Sequence, residues 1–173
     1  MDYASGVLII SIYKNELYAL LGKDHYGKYS DFGGSCEKSD HGMHIKTAAR
    51  ECYEETCGCI FSEYQIQERL RECKVVHSKS YTNKPYFMYV MMIPMDHDIP
   101  SRFSSNIEAL KINRNTYPYR EKTEIRWIKL SDIYDDIFSF RNVFMNTMTV
   151  HRDNIFKIAS IYMSTYTCYT NGR

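Results

Sequence analysis

The sequence is poor in the residues that interrupt a fold: only 8 of 173 are Gly and 4 are Pro. That scarcity excludes fibrous and low-complexity classes, and the 44% apolar and 14% aromatic content can bury a core. No long hydrophobic run is present either. The longest, Tyr86 to Ile93, has eight residues, against the roughly 20 that span a bilayer. Asp2 stands where a basic n-region would lie, and the apolar Val7 to Ile10 stretch is too short for a signal-peptide core. The expectation is a cytoplasmic chain with no membrane contact. Neither sign of charge dominates: 22 Lys+Arg against 21 Asp+Glu leave a net charge of +1, so bulk electrostatics cannot coat a nucleic acid and any polyanion needs a local site. The length predicts one domain over residues 1–173.

Six cysteines would permit disulfides in a secreted chain, but without a secretory signal they are expected as free thiols. Cys57 and Cys59 with His41 and His44 upstream suggest zinc, yet the two paired ligand sets of a structural zinc site are missing.

Along the chain, residues 6–13 and 16–21 flank Lys14-Asn15 and predict a hairpin. Residues 22–42 hold five of the eight glycines and predict a long irregular loop. The run from Thr47 to Thr56 is rich in helix formers, and Gly58 supplies a stop. Beyond it the pattern predicts a short strand over 60–63, strands within 65–78 and 86–93, a short helix near 107–112 and a strand over 124–129. Ser131 is a candidate N-cap for a helix through Ile137, and apolar spacing predicts a packed terminal helix over 152–166.

The chemistry concentrates in Gly33-Gly34-Ser-Cys-Glu37, Asp40, and Arg50-Glu51-x-x-Glu54-Glu55. On a helix, Glu51 lies three and four residues before Glu54 and Glu55, so the three carboxylates project to one side. Such a cluster is stable if solvated or if a cation sits among them. Oxygen-only ligands suit a hard ion such as Mg²⁺, which completes its shell with waters and substrate phosphates. The competing reading is a solvated, charged helix face.

The stretch resembles the signature of the Nudix hydrolases (MutT-like), G-x5-E-x7-R-E-U-x-E-E-x-G-U with U apolar. Gly34 matches the first glycine, Asp40 stands where the first Glu is expected, and Arg50-Glu51-x-x-Glu54-Glu55 matches the second half without a gap. Outside the box, Leu20-Leu21-Gly22-Lys23, Tyr29 to Gly34 and Arg126-Trp127-Ile128-Lys129-Leu130 are also similar to the family, which extends the resemblance over about residues 5–137. Three departures stand out. Asp replaces Glu at 40, nine residues rather than seven separate it from Arg50 with His41-Gly42 as the extra pair, and Cys57 occupies the usual glycine position.

The resemblance implies an α+β Nudix fold, an α/β/α sandwich around a mixed sheet with a loop-helix-loop motif. It implies Glu54 and Glu55 as the principal Mg²⁺ ligands (Mn²⁺ may substitute), a further ligand from the Gly33 carbonyl, and Glu51 on a second metal or activating water. Arg50 would orient the acidic cluster, Glu37 would support the loop, and Cys36, Cys52 and Cys57 would pack around it. Some members add an acidic residue before the late Trp-bearing strand, for which Glu121 is favoured over Glu124. The implied activity is cleavage of a diphosphate linkage in a nucleotide or nucleotide-linked small molecule. The alternatives are RNA decapping and a Nudix-fold binding module that does not turn over. Nudix relatives often form homodimers. Candidate substrate contacts are Lys23, His25 and Lys28 before the box, and a basic, Tyr-bearing segment over 111–129 that includes Tyr117, Tyr119 and Arg120.

Overall fold

A computed structural model of the protein describes residues 2–80, 82–111, 121–136 and 139–170. The first strand, β1 (Ala4–Tyr13), has its first eight residues buried, as expected of an uninterrupted apolar run with neighbours on both edges and both faces. Lys14 and Asn15, both at positive φ (49° and 62°), turn it into β2 (Glu16–Asp24), with Ile9 opposite Leu20. A two-residue turn of this hand matches the twist of the strands it joins.

The predicted loop over 22–42 is more ordered than its glycine content suggests. It contains β3 (Tyr29–Ser30), β4 (Phe32–Ser35) and a 3₁₀ turn at Lys38–Asp40. Gly33 lies directly opposite Gly6 on β1. A Cβ on Gly33 would stand 2.6 Å from the Gly6 Cα and 2.5 Å from the Tyr86 hydroxyl. The glycines there permit close approach rather than flexibility.

Next come α1 (His44–Glu55), α2 (Glu63–Leu70), β5 (Lys74–Lys79), β6 (Pro85–Met92), α3 (Ile99–Lys111), β7 (Lys122–Lys129), α4 (Asn142–Val150) and α5 (Arg152–Thr170). The seven-stranded sheet runs β3-β2-β1-β6-β5, with β4 also paired to β1 and β7 to β2. β1 and β6 are parallel and the remaining pairs antiparallel. Because strand side chains alternate faces, Leu8 and Ile10 of β1 pack with Phe144, Met148, Ile155 and Ile158 of α4 and α5. Val7 and Ile9 pack with Ala48, Ala49 and Cys52 of α1, Ile66 of α2 and Phe103 of α3. The result is the expected α/β/α arrangement, in which each fully buried Ile or Leu contributes roughly 1.5–3 kcal/mol.

Several element boundaries differ from the expectation. No strand forms over 60–63. Ser62 instead caps α2: its hydroxyl accepts from the Gln65 N–H while the Gln65 side chain takes the Ser62 N–H. The predicted strand over 65–78 therefore begins only at Lys74. The short helix near 107–112 is the end of the longer α3, whose Pro100 sits in the first turn where a missing N–H costs nothing. Ser131 leads into a 3₁₀ turn at Asp132–Tyr134, its hydroxyl bonded to the Asp132 side chain and not to a backbone N–H. Ile112 and Ile137 lie outside the described residues. The sequence did not signal α4, and α5 runs beyond the predicted 166.

Candidate active site

Arg50 on α1 is the hub of the acidic cluster, and its side chain is only 12% exposed. Its Nη1 donates to Glu51 at 3.0 Å and Glu54 at 3.1 Å. Nε and Nη2 grip the two Asp40 oxygens at 3.1 Å each, and Nη2 also reaches the Ser35 carbonyl at 3.0 Å. Glu37 completes the ring at 3.6 Å. A solvated, charged helix face does not describe Arg50: a largely enclosed, forked guanidinium fixes carboxylates in direction as well as in charge.

Asp40 is the structural counterpart of the altered box position. Buried at 3% exposure, it also accepts from the Glu37 N–H and the Thr47 hydroxyl, each at 2.8 Å. Burial pushes its carboxyl up, but the bonds from Arg50, Glu37 and Thr47 outweigh burial and hold it below the usual range. The extra pair His41-Gly42 forms two successive left-handed residues (φ 52° and 74°) just before α1. They absorb the insertion in a turn and leave the helix register intact.

At the other end of α1, Glu55 is buried. Its Oε2 accepts the Gly33 N–H at 2.8 Å, and its Oε1 pairs with Lys122 at 3.2 Å. Lys122, itself 2% exposed, also donates to the Ser30 hydroxyl at 2.9 Å. Gly22 lets the lysine stem pass, since a Cβ there would lie 2.8 Å from Lys122 Cδ. Lys122 belongs to the basic segment over 111–129 expected to face a substrate phosphate, and it is instead spent inside the protein on Glu55 and Ser30.

Five carboxylates (Glu37, Asp40, Glu51, Glu54, Glu55) thus face two cations (Arg50, Lys122). The imbalance shows in their titration. Burial raises Glu51 to about 8, with Arg50 opposing it and Glu55 and Glu54 adding to it. Burial likewise raises Glu55 to about 7 against the pull of Lys122, and it raises Glu54. Among the described residues no three carboxylate, imidazole or thiol groups are spaced to enclose one ion. Mg²⁺ does not require three, being held commonly by one or two carboxylates plus waters and substrate phosphates. Glu51 and Glu54, which share one Arg50 nitrogen and carry raised pKa values, fit that ion: a cation beside them relieves the charge that burial penalises. Glu51 also lies where Gly34 leaves room, its carboxyl carbon 2.5 Å from the place a Gly34 Cβ would occupy.

The other predicted contacts divide. Lys23 pairs with Glu124 at 3.6 Å and lies over the Tyr29 ring. Glu124 also accepts from Tyr29 at 3.0 Å and Arg126 at 2.9 Å, so it belongs to a surface network. Glu121 lies close enough to the cluster to raise Glu55 electrostatically, which distinguishes it from Glu124. Lys28 lines the cavity that Gly33 and Gly34 border. Arg114, Tyr117, Tyr119 and Arg120 lie outside the described residues. The Cys57 and Cys59 thiols are buried and pushed up to about 11 and about 12, which favours packing over thiolate ligation.

Behind β4 lies a cavity of about 570 Å³ bordered by Gly33, Gly34 and Ser35 on one side and by Phe140, Arg141 and Phe144 on another. Asp31, whose Oδ2 accepts the Tyr86 hydroxyl at 2.5 Å, lines it as well. Gly34 therefore borders both the cavity and the carboxylates.

No protein-family model matches the chain, and no curated protein sequence does. Solved structures do. The chain is similar to the NUDIX domain of Shewanella oneidensis NrtR complexed with ADP ribose, with a TM-score of 0.57 and 9% identity over 88% of this chain and 87% of that one. It is similar to C. elegans Ap4A hydrolase, with a TM-score of 0.53 and 12% identity over 94% and 98%. It is also similar to a Nudix hydrolase from M. smegmatis, RenU, with a TM-score of 0.51 and 12% identity over 90% and 87%. At such identities the likeness is one of fold, and with a mixed sheet between two helical layers and a loop-helix-loop from Gly33 to Gly58, the protein has the Nudix fold.

Proposed function

We propose that the protein is a Mg²⁺-dependent Nudix hydrolase that cleaves a diphosphate linkage in a small nucleotide or nucleotide-linked substrate. The observation that carries this reading is the Arg50-centred cluster. It holds Glu51 and Glu54 side by side on one nitrogen, against a glycine that opens onto a cavity of ligand size. Bound Mg²⁺ (or Mn²⁺) would supply charge neutralisation at the phosphoryl oxygens and acidify a water.

The protein's own groups supply the rest. Glu51 and Glu54 hold the cation, in place of the Glu54–Glu55 pair that the resemblance implies, because both Glu55 oxygens already have partners. Glu55, fixed between the Gly33 N–H and Lys122, retains a lone pair on each oxygen for a further contact. Arg50 positions the carboxylates, and the Asp40 anchor keeps Arg50 from turning onto the substrate. A carboxylate beside the attacking water takes its proton, and Glu51 and Glu121 are the candidates for that role. The non-scissile part of the substrate sits in the cavity behind β4. The related structures contain ADP ribose in one case and are named for Ap4A hydrolysis in another, which supports a diphosphate-linked nucleotide.

The test is a panel of nucleotides, ADP-ribose, diadenosine polyphosphates, diphosphoinositol phosphates and cap-labelled RNA with Mg²⁺, the products being identified for wild type and Glu54→Gln. Wild type should cleave at least one small diphosphate and the variant none, with unchanged melting. Cleavage of cap-labelled RNA alone would move the reading to decapping, and binding without product would make the chain a module.

A further inference from the structure

The cavity lining also carries a charged pair that the cluster on α1 does not use. Asp24, 5% exposed, spends one carboxylate oxygen on the backbone N–H groups of Tyr26 and Lys28, each at 2.9 Å. Its other oxygen accepts from Arg141 Nε at 2.6 Å. Burial pushes Asp24 up, and the bonds from Lys28, Arg141 and Tyr26 more than offset it, so the carboxyl is held below the usual range. It is an ionised anchor.

Arg141 is held by that anchor through one edge only. Its side chain is 51% exposed, its residue lines the cavity together with the buried Asp31 on which its charge acts, and among the described residues its two terminal amines make no hydrogen bond or ion pair. Its backbone is fixed as well, since the Arg141 N–H donates to the Tyr29 carbonyl at 3.0 Å. A guanidinium clamped by a buried carboxylate and open on its other edge presents two N–H groups at a fixed angle. That is the geometry that takes a phosphate in two parallel bonds. The ordinary reason for a buried aspartate beside an arginine is mutual neutralisation, but then the arginine would be covered or would spend its fork on the carboxylate. Here it offers only Nε.

Around the pair the cavity is mixed. Ala4, Met88, Val143 and Phe144 supply an apolar floor, suited to a ring system. Tyr26, 88% exposed, stands at the rim. The cavity therefore combines in one lining an apolar surface, the Gly33–Ser35 backbone that borders the carboxylates, and a positioned cation.

We propose that Arg141, anchored by Asp24, binds a second phosphate group of the substrate, one not part of the scissile diphosphate, so that the enzyme prefers substrates phosphorylated on the portion seated in the cavity. This rests on the reading of the α1 cluster as the diphosphate site. It narrows the substrate class to diphosphate-linked compounds bearing a remote phosphate monoester.

Matched pairs of ligands test it: ADP-ribose against ADP-ribose 2′-phosphate, and dephospho-coenzyme A against coenzyme A. Affinities are measured by calorimetry with Ca²⁺ in place of Mg²⁺, so that the ligands are not consumed, for wild type, Arg141→Gln and Arg141→Lys. For at least one pair, wild type should bind the phosphorylated member on the order of tenfold more tightly, the scale of one charge-assisted contact. Arg141→Gln should reduce that ratio to about one while leaving the unphosphorylated member's affinity unchanged, and Arg141→Lys should restore only part of it. Equal wild-type affinities within both pairs would overturn the proposal. So would an Arg141→Gln variant that weakens both members alike, since the arginine would then grip the common diphosphate. Because the readout is binding, it separates from the hydrolase reading: discrimination without turnover would sink the catalytic assignment and keep the phosphate site. Circular dichroism of the variants establishes that any loss is not unfolding.

Discussion

At the residue scale, one arginine organises four carboxylates, and removing it leaves the enclosed Asp40, Glu51 and Glu54, at 3%, 12% and 21% exposure, without their counter-ion, while Glu37 lies in solvent. Breaking a buried ionic network from one side costs about 3–5 kcal/mol. Arg50→Met should therefore lower the urea midpoint by an amount equivalent to about 3 kcal/mol or more. Arg50→Lys should recover little, because an ammonium cannot reach Asp40, Glu51, Glu54 and the Ser35 carbonyl from one fixed plane. A loss below about 1 kcal/mol would show that the network does not hold in solution.

The same residues set the pH dependence. Glu51 and Glu55, raised from the ordinary 4.5 to about 8 and about 7, keep their protons in the folded chain where the unfolded chain has lost them. The folded state then binds more protons between those values, and stability falls as pH rises. Melting without divalent cation should decline from about pH 5 to about pH 8, and Mg²⁺ should flatten the decline. A melting temperature that rises across that window in the absence of Mg²⁺ would contradict the assignment. Asp40 acts in the opposite sense: its lowered carboxyl contributes stability that is lost only on acidification below its ordinary 3.8.

At the element scale, α1 was legible in the sequence because its chemistry is consecutive. Glu51, Glu54 and Glu55 fall on one side by helical spacing alone, and the structure adds only an earlier start at His44. Elements whose reason lies elsewhere in the chain were not legible. Residues 142–150 of α4 mix Val, Asn and Thr, weak helix formers, and become a helix because Phe144, Met145 and Met148 have the sheet to pack on. Gly33 and Gly34 signalled a loop and proved to be a strand because Gly6 and Glu51 need their space. The start of α2 carried a readable sign that propensity obscured: Ser62 and Gln65 form a capping box. Ser62→Ala should cost about 1 kcal/mol, measured by chemical denaturation, and should leave metal affinity unchanged. No loss of stability would show that α2 does not depend on its cap.

At the scale of the whole molecule, the near-zero net charge conceals a separation. Carboxylates gather on α1 at one border of β4, and Asp24, Lys28 and Arg141 stand across the cavity behind it. The sequence could show the first group but not the second, since positions 24 and 141 meet only when β2 and the start of α4 are brought together by the sheet. Lys122 reaches Glu55 for the same reason, across a strand pair that a linear motif does not describe. The acidic cluster and the neighbouring chamber are the two parts that the proposed diphosphate hydrolysis uses.

The most direct measurement is ³¹P NMR of the reaction of ADP-ribose and diadenosine tetraphosphate with the protein and Mg²⁺, run beside Glu54→Gln at matched folding. Wild type should convert at least one of them, ADP-ribose to two phosphate monoesters or diadenosine tetraphosphate to AMP with ATP or to two ADP, and the variant should leave both spectra unchanged. Turnover by Glu54→Gln at the wild-type rate would contradict the account.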